Sequence, residues 1–357
     1  MPEEDLALAN LPRPPHNGNL QEEDEENVEE SNEDKSEEND GSQQMAAPTL
    51  PRLVLGIVTS TVFFVSLSCT EPCLRLLGPS PEVPTLELLI ISYGIQAFFL
   101  FPIVIVQWRH CREVHRHEMA WLLSAGALTA LSMVWSFQAA VSLHREIVSA
   151  VGCIGLLLFT LITNVILRVQ ISRILVVTYV VAMAALILLA ACASLNFTES
   201  KPKHSPVFAY FSLVFSSLFL VISSKIIYKQ CQVMHLPTFM FWFSLVGTVL
   251  SLCEMMIFTT IWSPEVVAPD VFLPCFAFVF LFIIASMSLH ISLRLVQTKI
   301  FMILSPCGVL VHYLLHYTVP VMDQTNLHAP LAIVGCGVLV PTVIWALVWI
   351  VHKRDES

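Results

Sequence analysis

HEMAWLLSAGALTALSMVWSFQAAVSLHREIVSAVGCIGLLLFTLITNVILRVQISRILVVTYVVAMAALILLA, residues 117–190, is the stretch that decides the fold. It holds three apolar runs, 119–141, 146–167 and 173–194, the last continuing just past the quoted segment. Each is long enough to cross about 30 Å of hydrocarbon at about 1.5 Å per residue. In lipid only helices and closed barrels satisfy their own backbone hydrogen bonds, and runs of this length are helices.

Working outward, two more runs precede the segment, 53–70 and 86–107. Five follow it, 206–228, 236–260, 270–293, 299–318 and 329–352. The ten fall as five and five. Five is odd, so the second group enters the membrane from the side opposite the first, giving two halves of inverted topology. The expected fold is therefore an all-α membrane protein with ten transmembrane helices in two inverted five-helix repeats. Its sections are an acidic tail (1–50), a first repeat (51–195), an outer or lumenal loop (196–205), a second repeat (206–352) and a short tail (353–357).

Composition agrees. Of 357 residues 55% are hydrophobic and only 13% charged, with a mean hydropathy of +0.72. A soluble core of this size has no need of so much apolar surface. The net charge of −10 is local in origin, since fifteen of the 28 acidic residues lie in the first 40 positions. The stretch QEEDEENVEESNEDKSEEND has almost nothing to bury and reads as a disordered cytosolic tail, a candidate docking segment for partner proteins. The ten cysteines are scattered and mostly sit inside apolar runs, where they serve as small apolar residues. Cys69 and Cys73 are the one spacing that invites a pair.

Orientation follows from the basic residues of the short connections. With the N-terminus in the cytosol, the inner side holds Arg52, Arg109, Arg112, Arg116, Arg168, Arg173, Lys225, Lys229, Arg294, Lys299, Lys353 and Arg354. The outer side holds only Arg75, Arg145, Lys201 and Lys203, and both termini come out cytosolic. Asn196-Phe197-Thr198 falls in an outer loop and is the candidate glycosylation acceptor.

Segment 117–190 shows small-residue spans, a very short turn and a basic cytosolic turn, and it resembles the repeat unit of the drug/metabolite transporter superfamily. Within that superfamily it is similar to the EamA-like permeases and the solute carrier 35 branch, including its G subgroup. The second half, from SPVFAYFSLVFSSLFLVISSKIIYKQ to APLAIVGCGVLVPTVIWAL, resembles the same unit less closely. Two departures stand out. An acidic Gly-Glu type of turn after the fourth helix is replaced by Leu167–Ser172, and the Gly-Ala-Leu-Asn-Lys type of motif of GDP-mannose carriers is absent. The resemblance implies a carrier working by alternating access, with basic residues near the starts of helices four and nine contacting an anionic group.

Candidate site residues follow from the cost of ionisable groups inside membrane spans. Arg145 and Lys299 begin the fourth and ninth runs, and superposing them also aligns Cys153 with Cys307. A helix start favours anions, and a cation there adds to that preference. Glu146 beside Arg145 offsets it, and either cation also serves as a topology anchor. Glu254 is the one acid well inside a late span, fit to take a proton or pair with a cation. Tyr93, Gln96, Trp135, Gln138 and Asn164 are neutral groups at cavity depth, suited to stacking, hydrogen bonding or joining helices. His312 and His316 share a helix face, and with His290 read mainly as polar packing. The turn 108–118 holds three histidines and Cys111 among three arginines that oppose a divalent cation, so no metal and no cofactor are expected.

No P-loop, Gly-x-Gly-x-x-Gly, nucleophile–base set or nucleic-acid patch is present, which disfavours an enzyme, an ATP-driven pump or a nucleic-acid binder. The expectation is a secondary transporter of a small organic, anionic, nucleotide-sugar-like solute, with its site near the midplane between helices 2–4 and 7–9. The alternative is a non-transporting scaffold or regulator on the same fold. The Golgi, endoplasmic reticulum and plasma membrane all remain open as locations, and so does a homodimer.

Overall fold

A computed structural model describes residues 49–76, 85–107, 116–143, 145–169, 171–195, 206–258, 269–318 and 329–355. The acidic tail, the turn 108–115, the loop 196–205 with Asn196, and the connection after the ninth span lie outside these residues. The described chain is helical, without strands, and belongs to one compact unit, Ala47–Ser357.

Its elements are α1 (Leu50–Leu76), α2 (Thr85–Val106), α3 (Arg116–Ser142), α4 (Arg145–Ile166), α5 (Arg173–Leu195) and α6 (Pro206–Val233). They continue with α7 (Leu236–Phe258), α8 (Pro269–Leu295), α9 (Thr298–Ile303), α10 (Pro306–Thr318) and α11 (Ala329–Asp355). Among the described residues ten spans are long and apolar enough to cross a membrane, α9 and α10 together making the ninth. The chain is thus of the multi-pass membrane class. Lipid is its outer solvent, which explains why large apolar side chains such as Phe98 (74% exposed) and Val348 (59%) face outward. On α8, Phe272, Phe276 and Phe280 stack in a ladder along an exposed face.

Sequence order does not dictate neighbours. The most extensive packing joins α1 to α8, α3 to α6, α2 to α7 and α5 to α11. Between α3 and α6 the joint is a ladder of hydroxyls. Ser132 Oγ donates to the Ser216 carbonyl (2.9 Å), and Ser216 Oγ returns the bond to the Ser132 carbonyl (2.8 Å). Two turns along, Ser223 Oγ donates to the Ala125 carbonyl (3.0 Å) and meets Thr129 Oγ1. With no hydrophobic drive between helices in lipid, small polar residues of this kind supply the adhesion.

The ninth span differs from a continuous 299–318 helix: it breaks at Leu304–Ser305. Pro306 has no N–H to donate to Met302, so the ladder steps to shorter i→i+3 bonds, Ser305 N to Met302 O and Cys307 N to Leu304 O. At its far end α4 closes with a different device. Arg168 adopts φ 52°, and the N–H groups of Arg168 and Val169 reach back to Val165 O and Asn164 O. This is the paired-bond C-cap that usually places glycine at the left-handed position.

Candidate functional site

A cavity of about 120 Å³ lies where α1, α3, α4, α6 and α10 converge. This differs from the expected walls between helices 2–4 and 7–9. α1, packed on α8, and α6, packed on α3, both wall it, while α2 and α7 pair with each other.

The lining is neutral and rich in hydroxyls. Ser68, Ser136, Ser149, Ser216, Ser217 and Ser305 face it, together with Cys153 and His312, and no Lys, Arg, Asp or Glu does among the described residues. Ser149 Oγ is buried without a hydrogen-bond partner, so it is available to a guest. Cys153 Sγ and Ser305 Oγ share a hydrogen bond of 3.0 Å, which ties α4 to the break in the ninth span at the cavity wall. Two glycines bring helices close on either side. A Cβ on Gly155 of α4 would sit 2.6 Å from Ser217 Oγ of α6, and one on Gly308 of α10 would sit 3.1 Å from the Phe64 carbonyl of α1.

A smaller cavity of about 10 Å³ adjoins the first, with Leu67 and Met133 shared between their linings. Tyr93 lines it, held edge-on by Phe282 (5.1 Å) and Phe243 (6.4 Å).

Of the seven candidate substrate-binding residues, Tyr93 lines the smaller of these two cavities. Gln96 is 1% exposed on α2 with neither amide atom partnered, and Glu254 is 8% exposed on α7 with Oε2 unpartnered. Trp135 packs on Phe208 and Phe215 of α6, and Gln138 is exposed, since both sit on the side of α3 away from cavity-lining Met133, Ser136, Phe137 and Ala140. Arg145 is the first residue of α4, and its side chain lies outside the described residues. Lys299 is the second residue of α9, partly buried, and its carbonyl accepts from Tyr179 OH (2.7 Å).

The histidines fall apart in role. His290 donates from Nδ1 to the Ser286 carbonyl (2.6 Å) and is flanked by Phe239 and Phe243, whereas His312 faces the main cavity. The side chain of His316 lies outside the described residues. His117 Nε2 accepts from the Trp121 indole (3.1 Å), and no metal-binding cluster occurs among the described residues. Cys69 and Cys73 are both free thiols.

Sequence reasoning counted Lys225 only as an inner-side anchor. In the structure it is half-buried two turns inside α6, and its Nζ donates to Asn164 Oδ1 of α4 at 2.5 Å. The signal was its depth, since Lys229, one turn later, is exposed.

No protein-family model and no curated protein matches the chain. Twenty-eight chains of solved structures do resemble it. One, described only as a crystal structure of protein, aligns with a TM-score of 0.61 at 15% identity, over 86% of this chain and 99% of its own. At that identity the likeness establishes a shared fold and nothing about activity.

Proposed function

We propose that the protein is a secondary carrier of the drug/metabolite transporter type, moving a small polar organic solute by alternating access between two inverted halves. The observation that carries this reading is the hydroxyl-lined cavity at the meeting of α1, α3, α4, α6 and the broken ninth span. Carriers use discontinuous helices at a central site because the break frees backbone groups for a guest without exposing them to lipid.

Helix pairing supports the repeat. Number the spans one to ten, with α9 and α10 as the ninth and α11 as the tenth. Span 1 packs on span 8 and span 6 on span 3, which exchange when five is added to each number. Spans 2 and 7, and spans 5 and 10, are their own counterparts under that exchange. Two structurally equivalent halves related by a twofold axis in the membrane plane produce this pattern. The basic residues of the short connections support cytosolic termini, and under that orientation the cavity belongs to the outer half of the bundle.

Counterflow in proteoliposomes with a panel of nucleotide sugars, organic anions and neutral sugars tests the reading. A saturable exchange that Ser217→Trp abolishes supports it. Exchange of no solute, by protein that binds its partners normally, would favour the scaffold on the same fold.

A further inference from the structure

α4 and α6 run in the same direction. Ser217 Oγ donates to the Gly152 carbonyl at 3.0 Å, and farther along both helices Lys225 Nζ donates to Asn164 Oδ1 at 2.5 Å. The main cavity lies toward their starting ends, walled by residues between 148 and 156 on α4 and between 213 and 220 on α6.

Toward the other end, two closures lie beneath it. On one side Phe64, a cavity residue of α1, packs with Phe63 and with Phe301 of α9, the ring centroids 4.9 to 5.3 Å apart. Phe63 and Phe301 are both buried, so these rings fill the floor. On the other side stands the bond from Lys225 to Asn164, which lies eight residues past Leu156, about 12 Å farther along α4. Each closure joins the first five spans to the last five, α1 to α9 and α4 to α6. Alternating access makes and breaks contacts of this kind, between halves and on one side of a central site.

The second closure has the chemistry of a reversible tie. In the α3–α6 seam the partners are short hydroxyls bonded to carbonyls, with no other place to go. Lys225 has one. It is half-buried one turn before exposed Lys229, so its four-carbon stem can carry the ammonium to the headgroups once Asn164 is released. Asn164 is 3% exposed, and its Nδ2 is buried without a hydrogen-bond partner, so no second side-chain bond secures the amide. A charged donor makes the bond stronger than a neutral one, while a neutral acceptor avoids an ion pair that would be costly to part.

We infer that the Lys225–Asn164 bond is the latch of the gate beneath the cavity, made when that end of the bundle is shut and released when it opens. The inference deepens the carrier reading and rests on it for the movement of the two halves. Lys225 is a positioning residue in this scheme, acting through α4 rather than on the cargo.

The test uses the full-length chain in a background without other cysteines, with Ser149→Cys as a reporter at the cavity wall. A membrane-impermeant thiol reagent is applied to sealed vesicles of each orientation, from the face at which α6 ends or from the opposite face. The readout is the ratio of the first labelling rate to the second. Lys225→Met keeps the stem and removes the donor, and it is expected to raise the ratio about ten-fold, the worth of one hydrogen bond to a charged group. Asn164→Asp turns the tie into an ion pair and is expected to lower the ratio. Lys225→Arg keeps a cationic donor and should hold the wild-type ratio.

A merely structural bond would alter thermal midpoints without moving the two faces in opposite senses. The inference is overturned if Asn164→Asp fails to lower the ratio, or if folded Lys225→Met fails to raise it. Counterflow of a solute with an unmoved ratio would keep the carrier and remove the latch. Opposite shifts in the two variants without counterflow of any solute would keep the gate and remove the carrier, so the two failures are distinct.

Discussion

Cys153 on α4 and Ser305 in the break of the ninth span share a hydrogen bond of 3.0 Å, across 152 residues of sequence. The bond fastens the point where the helix is interrupted to the wall of the main cavity. Carriers build their central sites from discontinuous helices of this kind.

Restoring the missing donor is expected to join α9 to α10. Pro306→Ala returns an N–H to the Met302 carbonyl and should raise stability by about 1 kcal/mol, the net worth of one hydrogen bond. The same change should slow counterflow several-fold, because the break no longer yields. Thermal midpoint and flux, measured together, check both halves of the prediction.

The cavity should admit water-soluble thiol reagents. In a background without other cysteines, Ser149→Cys faces the cavity and is expected to label at least ten-fold faster than Ser223→Cys, which sits in the α3–α6 hydroxyl ladder. Equal rates would mean that the cavity is closed to solvent.

The reciprocal bonds between Ser132 and Ser216 should be worth about 0.6 to 1.7 kcal/mol, the range for interhelical side-chain bonds in membranes. Ser132→Ala and Ser216→Ala each remove one of the two hydroxyl-to-carbonyl bonds, and the loss in each single variant, read by reversible unfolding in mixed micelles, measures it. The other hydroxyl contacts along the seam are left intact by both substitutions.

Close approach at α1 and α10 sets a steric prediction. A Cβ at Gly308 would lie 3.1 Å from the Phe64 carbonyl, a backbone atom with no side-chain freedom to retreat. Gly308→Val should therefore destabilise by about 1 to 3 kcal/mol. Gly337→Ala meets nothing within 4 Å and should be neutral or stabilising by about 0.5–1 kcal/mol through helix propensity. Thermal midpoints of the two variants decide the point.

The ten spans were legible because lipid imposes a local rule, that every crossing segment be long, apolar and helical, and residues 117–190 satisfy it three times over. Adjacency is not local. Ser132 and Ser216 are 84 residues apart, and nothing in either run announces the other. Trp135 and Gln138 read as cavity groups from polarity alone, yet about half a turn of helical phase separates them from the cavity face. Lys225 read as a topology anchor because it nears the end of a span beside Lys229. Its bond to Asn164 comes from 61 positions away. The Ser305-Pro306 dipeptide was a visible breaker inside an apolar run, a signal that periodicity counting passes over.

Counterflow through the hydroxyl-lined cavity tests the carrier most directly. Proteoliposomes preloaded with each unlabelled solute of a nucleotide-sugar, organic-anion and neutral-sugar panel would be given the labelled form outside. The account predicts saturable accumulation of at least one solute, abolished by Ser217→Trp at the cavity wall and retained in Gly337→Ala. Accumulation that Ser217→Trp leaves unchanged, or no accumulation of any solute by protein of wild-type thermal stability, would contradict it.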